Sequence, residues 1–268
     1  MPVSIFVINL ERSAERREQI LTRLQQLGLE AEIFRAYEGA KLPDGGQRYH
    51  GRKRRLFFGK DLTPGEIGCA YSHLGVCALM LERGLSHALV LEDDAILYDH
   101  LPQAINAALN CQGEWDVVRF MASDKVRRLA RVIAADIGDG LMLARPFGTP
   151  GDACGYMLNA HAAKTFLEKA KRLWLPIDVF YGQVWHNKLR SFAMIPSPVK
   201  NDFENGSTIG ASRFGKTARP HGWEGLVYPF TRAAYKVWDT VMKRVSFYGG
   251  FFADQRMAKE LNQHTRGE

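Results

Sequence analysis

The residues with the clearest chemical potential are three consecutive acids, Glu92, Asp93 and Asp94, in the segment ALVLEDDAIL at 88–97. They close one apolar run and precede another. Acids at the end of a half-buried strand serve solubility, or they hold a metal. In open α/β sheets ligands bind at the carboxyl ends of the strands. Mn²⁺ or Mg²⁺ is often held by one or two carboxylates, with substrate phosphates and water completing the shell. Side chains alternate along an extended segment, which predicts Glu92 and Asp94 on one face and Asp93 on the other. On this reading Asp94 is the direct metal ligand with Glu92 beside it, and Asp93 binds a ribose or orients the site.

The elements that must carry these acids are legible on either side. Ser4–Asn9 is an apolar, β-branched run and reads as a first strand. Ser13 opens a helix with Glu15 in its first turn and Ile20, Leu24 and Leu27 on one face. Gly28 stops it, and AEIFRAY follows as a second strand. This βαβ beginning implies a parallel sheet with a right-handed crossover. Thr63 caps the next helix, with Pro64 at its first position and Glu66 completing a capping box. Gly84 ends that helix, and the strand HALVLEDD comes next. A helix around 101–110, a strand at 115–120, and a strand leading to Asn159 as the cap of a further helix complete the pattern. Residues 41–60 carry seven Lys/Arg against one Asp and read as a basic loop, solvated or closing over phosphate or acceptor.

Composition narrows the class. The 268 residues are 46% hydrophobic and 24% charged, ordinary for a globular chain. No apolar run approaches the length of a membrane-spanning helix. The N-terminus lacks a basic leader with a cleavage site, and Cys69, Cys77, Cys111 and Cys154 show no paired spacing. A reducing, cytoplasmic setting is the expectation. A formal charge of +7 predicts an anionic partner: nucleotide phosphate, nucleic acid or an acidic membrane surface. Residues 214–268 change in character. Phe230, Ala234, Val237, Trp238, Val241 and Val245 fall on one face of a basic helix, which packs on the core or lies on an anionic membrane.

Five blocks occur in a specific order: VINLERSAERRE, LTPGEIGCAYSHLGV, LVLEDDAIL, GYMLNAHAAKTFL and LPID. Together they resemble glycosyltransferase family 25, which includes lipooligosaccharide and lipopolysaccharide galactosyltransferases and the collagen galactosyltransferases. The resemblance runs from residue 3 to about 213. It implies an α/β, GT-A-type single domain over 1–213 with a mostly parallel central sheet, and the amphipathic pattern of 214–268 adds a helical extension after it. It also implies a UDP-sugar donor, inversion at the anomeric carbon, and Mn²⁺ or Mg²⁺ at Glu92–Asp94. Asn9, Leu10, Arg12 and Arg16 fall where the family binds nucleotide. Ser72 and His73 match its Ser-His pair, and Ser207 and Arg213 match a closing motif that reaches the diphosphate. Inversion needs a base on a different segment from the metal ligand. Asp178 in LPIDVF is the expected base, with a helix cap as its plain structural reading, and Asp152 is second. The inserted PGDAC, which contains Asp152, departs from the family pattern.

The implied function is transfer of a sugar, with galactose expected, from a UDP-sugar to a lipid-linked oligosaccharide acceptor of lipopolysaccharide or lipooligosaccharide. Peripheral contact with the inner face of the cytoplasmic membrane fits the basic tail. Two other classes use parts of the same sequence. A magnesium-dependent phosphatase or phosphoacceptor domain also places acids at a strand end, but EDDAIL lacks its D-x-D-x-T form. A nucleic-acid-binding module would use the cluster at 48–60, yet no recognised binding signature accompanies it. No nucleic-acid partner is expected.

Overall fold

A computed structural model describes residues 3–43, 46–111, 115–121, 129–134, 137–148, 151–202 and 220–264. The chain forms an α/β domain around an eight-stranded sheet, followed by two C-terminal helices. The strands are β1 (Ser4–Asn9), β2 (Glu32–Arg35), β3 (His87–Glu92), β4 (Ala95–Leu97), β5 (Val117–Arg119), β6 (Arg131–Ala134), β7 (Met142–Arg145), β8 (Gly155–Asn159), β9 (Ser191–Ile195) and β10 (Val199–Asn201). The sheet order is β2-β1-β3-β8-β5-β9-β7-β6, and β10 pairs with β4 in a separate ribbon. Pairings are parallel at β1–β2, β1–β3 and β5–β9, and antiparallel at β3–β8, β5–β8, β7–β9 and β6–β7. Six of the eight strands therefore point one way, with β8 and β7 reversed.

Alternation along the buried strands feeds two cores. Val7, Leu89 and Leu91 face α1 (Ala14–Gln26) and α4 (Leu101–Asn110). Phe6, Ile8, Ala88 and Val90 face α3 (Pro64–Glu82) and α5 (Ala160–Lys169). The helix signals act as their chemistry dictates. Thr63 Oγ1 accepts the Glu66 amide at 3.2 Å, and Glu66 Oε2 accepts the Thr63 amide at 2.8 Å. Asn159 caps α5 through the Ala162 amide. Gly28 and Gly84 take positive φ at the helix ends, where an L side chain would be strained.

The basic stretch at 41–60 is not a loop throughout. Gly51–Phe58 forms α2, whose N-terminus is capped by His50 Nδ1 accepting the Lys53 amide. Charge density concealed it, because the pattern lacks a clean apolar stripe. Its charges are instead paired or stacked. Arg55 bonds Asp61 and Glu224, and Lys53 lies over the Trp174 ring. The segment around Asp178 forms two short helices, α6 (Ile177–Gly182) and α7 (Val184–Asn187).

At the C-terminus, α8 (Trp223–Gly249) packs on α2 and α9 (Phe251–His264) packs on β6. Tyr235 of α8 sits among Phe57, Phe58 and Trp174. Asp254 of α9 is buried and takes hydrogen bonds from Arg145, with Arg131 beside it.

Candidate active site

The acids end β3 at the carboxyl edge of the sheet, where β1 and β3 run side by side. A cleft of about 320 Å³ opens there. Ile8 and Leu10 form one wall, Tyr37 and Glu38 a second, Pro64 and Gly65 a third, and Glu92, Asp93 and Asp94 the floor. Two glycines allow the second wall to lie against α3. A Cβ on Gly39 would stand 1.6 Å from the Pro64 carbonyl oxygen, and one on Gly68 would stand 2.5 Å from that of Tyr37. Ser72 locks the same contact: its Oγ accepts the Tyr37 amide and donates to the Gly68 carbonyl, both at 2.8 Å.

The three acids do not alternate as an extended strand would. Strand β3 stops at Glu92, and Asp93 and Asp94 form the turn into β4. Asp93 and Asp94 consequently both face Arg16, at 3.6 and 3.8 Å, and Asn9 Nδ2 donates to Asp93 at 2.7 Å. Glu92 turns the other way, toward α3. Its Oε1 lies 2.9 Å from His73 Nε2, and His73 Nδ1 lies 2.9 Å from the Tyr156 hydroxyl. An ionised carboxylate only accepts, so Nε2 carries the proton and Nδ1 accepts from Tyr156. The Cys69 thiol also donates to Glu92 Oε1, so His73 and Cys69 together hold that oxygen from the α3 side.

Asp152 and Asp178 join this group from the loop before the reversed strand β8 and from α6. Asp178 Oδ2 accepts the Asp152 amide at 3.2 Å. Pro176 occupies the N-cap position of α6, so Asp178 sits in the first turn and its carboxylate is turned to the Asp152 loop. Asp152 adopts a left-handed φ of 72° and accepts the Cys154 amide and the Asn201 side chain.

The electrostatics of the cluster are those of crowded acids. Burial, then Glu92 and Asp93, push the Asp94 carboxyl up to about 7 against the pull of Arg16. Burial also raises Asp93, opposed by Asn9 and Arg16. Asp152 is raised by burial and Glu92, with the Asn201 bond opposing. The Cys69 thiol is held well above its ordinary range by burial, Glu92 and Asp178. Asp94 Oδ1 is buried and accepts no hydrogen bond. A buried carboxylate oxygen without a donor, among other carboxylates, fits a hard cation such as Mn²⁺ or Mg²⁺.

Of the residues singled out from sequence, Leu10, Arg12, Ser72, Glu92, Asp93 and Asp94 line the cleft. Asn9, Arg16 and His73 support its acids, and Asp152 and Asp178 adjoin the same charge cluster. Arg12 also pairs with Glu38 at 3.0 Å. Ser207 and Arg213 lie outside the described residues. Sequence reasoning missed Tyr37, Cys69, Tyr156 and Arg119. Arg119, buried at the end of β5, lowers the Asp152 and Cys154 groups against their burial. Cys69 had a signal in the Ser-His block, whereas Tyr156 and Arg119 are brought in only by strand pairing.

Comparison with known proteins identifies the family. The sequence profile of glycosyltransferase family 25 (LPS biosynthesis protein) matches residues 3–181. A glycosyltransferase 25 family member of Drosophila melanogaster is 30% identical over 66% of this chain and 29% of that protein. Procollagen galactosyltransferase 1 of Danio rerio is 26% identical over 69% of this chain and 31% of that protein. A Bos taurus relative, 27% identical over 66% of this chain and 30% of that protein, is named probable inactive glycosyltransferase 25 family member 3. The chain thus spans about a third of the length of these relatives. Among solved structures, A197 from STIV aligns with a TM-score of 0.43 and 17% identity over 83% of this chain and 99% of that chain. The ordered sequence blocks, converging on one acid-floored cleft within the matched region, make this chain a member of glycosyltransferase family 25.

Proposed function

We propose that the chain transfers galactose from UDP-galactose, with inversion, to an oligosaccharide acceptor of lipopolysaccharide or lipooligosaccharide. The observation that carries this reading is the cluster of acids at the sheet edge, with the donor-free Asp94 Oδ1 at its centre. Support for galactose comes from the zebrafish relative's name, and for the acceptor class from the family description.

In this reading the cleft between Leu10, Arg12, Tyr37 and Glu38 takes the nucleotide. Asp94 and Glu92 hold Mn²⁺ or Mg²⁺, which when bound offsets the negative charge of the departing diphosphate. Arg16 keeps Asp93 and Asp94 oriented, and Asn9 fixes Asp93. Asp178 takes the proton from the acceptor hydroxyl as that oxygen bonds to the anomeric carbon and the bond to the diphosphate breaks. Its segment differs from that of the acids on β3, as a base acting opposite the leaving group requires. Asp152 donates its amide to Asp178 and so sets the base's orientation. The four free cysteines suit a reducing compartment, and we place the reaction in the cytoplasm.

The test is UDP binding by calorimetry with and without Mn²⁺, followed by turnover of a panel of UDP-sugars. Manganese-dependent UDP binding with UDP-galactose alone turned over is the expected result. Binding without turnover of any sugar would align the chain with its relatives named inactive. Absence of UDP binding would overturn the reading.

A further inference from the structure

Helix α8 is mounted the opposite way from an ordinary surface helix. A helix on a globular protein normally buries its apolar stripe and presents polar residues to water. In α8 the anchoring face is polar and aromatic. Glu224 pairs with Arg55, Thr231 donates to the Leu56 carbonyl, Arg232 donates to the Phe57 carbonyl, and Tyr235 enters the aromatic group on α2. The aliphatic and aromatic stripe faces outward. Leu226 and Phe230 are each 76% exposed, Val237 66%, Tyr248 65% and, at the start of α9, Phe252 79%. Of the seventeen exposed large apolar side chains among the described residues, eleven lie between Trp223 and Phe252. At about 100° per residue, positions 226, 230, 237, 241 and 248 fall within about 60° of one another. They form one band roughly 33 Å long, at about 1.5 Å per residue.

We infer that this band is a docking surface for an anionic lipid bilayer, on which α8 lies in the interfacial plane. Charge decides the occupant. The two acids of α8 are engaged, Glu224 by Arg55 and Arg52, and Asp239 by Lys243. Lys236 and Arg244 are exposed on the same helix. A second copy of the chain would bring the same cations face to face across a two-fold axis, whereas an acidic headgroup layer complements them. Trp223, Trp238 and Tyr248 are the side-chain types that settle at such a boundary, with an apolar ring and a polar edge. No described helix is long and apolar enough to cross a membrane, and the geometry is that of a helix lying on the surface. The position also bears on the proposed reaction. Helix α2, which carries α8, leads through residues 59–63 into Pro64 and Gly65 of the cleft wall. Docking by α8 therefore ties the cleft to the plane in which a lipid-linked acceptor resides. The docking itself does not depend on the catalytic reading.

The experiment is co-flotation of the full chain with vesicles of phosphatidylcholine alone and of phosphatidylcholine with phosphatidylglycerol. The variants are Phe230→Ser/Val237→Ser/Val241→Ser and Lys236→Glu/Arg244→Glu, all at exposed positions away from the cleft. Expected are flotation with the anionic vesicles, weakening with salt, and a loss of roughly tenfold or more in the triple serine variant. The charge-reversed variant should lose its preference for anionic over neutral vesicles. UDP binding by each variant is measured alongside, so that loss of docking and loss of the donor site are separate readouts. Failure of the parent chain to float would overturn the inference. Equal flotation of the parent and the triple variant would do the same. So would an ultracentrifuge dimer that the serine substitutions dissociate while vesicles leave it intact.

Discussion

His73 Nε2 stands 2.9 Å from Glu92 Oε1, joining a fully buried side chain on α3 to the acid that ends β3. Tyr156, from the reversed strand β8, holds the other ring nitrogen at 2.9 Å. The imidazole is thereby fixed from both sides, and Glu92 is oriented from within the protein rather than from solvent. Replacing His73 with Ala removes a donor to Glu92 and opens a cavity beneath it. The expected cost is about 2–3 kcal/mol of stability together with weaker donor binding. Tyr156→Phe removes only the hydroxyl and should cost about 1 kcal/mol. Chemical denaturation and UDP calorimetry on the two variants measure both effects. Wild-type stability and binding in His73→Ala would show that the Glu92 orientation does not depend on this contact.

Asp94 and Asp178 divide the proposed work, and their amide variants should fail differently. Asp94→Asn is expected to lower UDP-sugar turnover by about a hundredfold or more and to remove the effect of Mn²⁺ on UDP binding. Asp178→Asn is expected to preserve manganese-dependent UDP binding while lowering transfer by roughly 10²–10⁴-fold. Side-by-side calorimetry and transfer assays separate the two roles. Transfer near the parental rate in Asp178→Asn would leave that carboxylate as an acceptor for the Asp152 amide only.

What the sequence revealed depended on how local each signal was. The capping box at Thr63 and Glu66, the Asn159 cap and the 101–110 helix are set by residues within a turn of one another, and each forms where its pattern predicts. Asp94 stands out because acids beside apolar runs are conspicuous, whereas Asp178 is legible only through the resemblance that the LPID block carries. Asp93 shares a facing with Asp94 because strand alternation ends with β3 and does not extend into the turn. Helix α2 was concealed by its charges, whose partners Asp61 and Glu224 lie 6 and 169 residues from Arg55. Tyr156 meets His73 across 83 residues of chain, through the order of strands in the sheet. No window of sequence contains that relationship.

The close approach between the 36–40 segment and α3 makes a demand on two glycines. At Gly39 an added methyl would overlap the Pro64 carbonyl, and at Gly68 it would overlap the Tyr37 carbonyl and the Gly39 amide. The obstacles are backbone atoms, so no side-chain rotation relieves them. Gly68→Ala and Gly39→Ala should each destabilise the chain by about 3 kcal/mol, the upper end for overpacking, and should shift the wall that carries Tyr37 and Glu38. UDP affinity should fall together with the unfolding midpoint. A stable Gly68→Ala variant with unaltered UDP binding would mean that the wall can retreat without consequence for the cleft.

Asp116 offers a pH test away from the catalytic acids. Burial alone would raise its carboxyl, but the Arg190 amide and guanidinium and the Asn159 side chain outweigh burial and hold it below the ordinary carboxylate range. The contacts tie the start of β5 to the residue before β9 and to the Asn159 cap of α5. A group whose folded value lies below its unfolded one stabilises the protein at pH above the unfolded value. That contribution is lost as pH falls through the folded value. Asp116→Asn should therefore cost about 1–2 kcal/mol at neutral pH. The difference from wild type should shrink as pH falls below about 4, the ordinary aspartate range, and vanish once the folded carboxyl is protonated. Urea midpoints taken across this window make the comparison. A difference that stays constant into acid would assign the cost to lost hydrogen-bond geometry and not to the charge on Asp116.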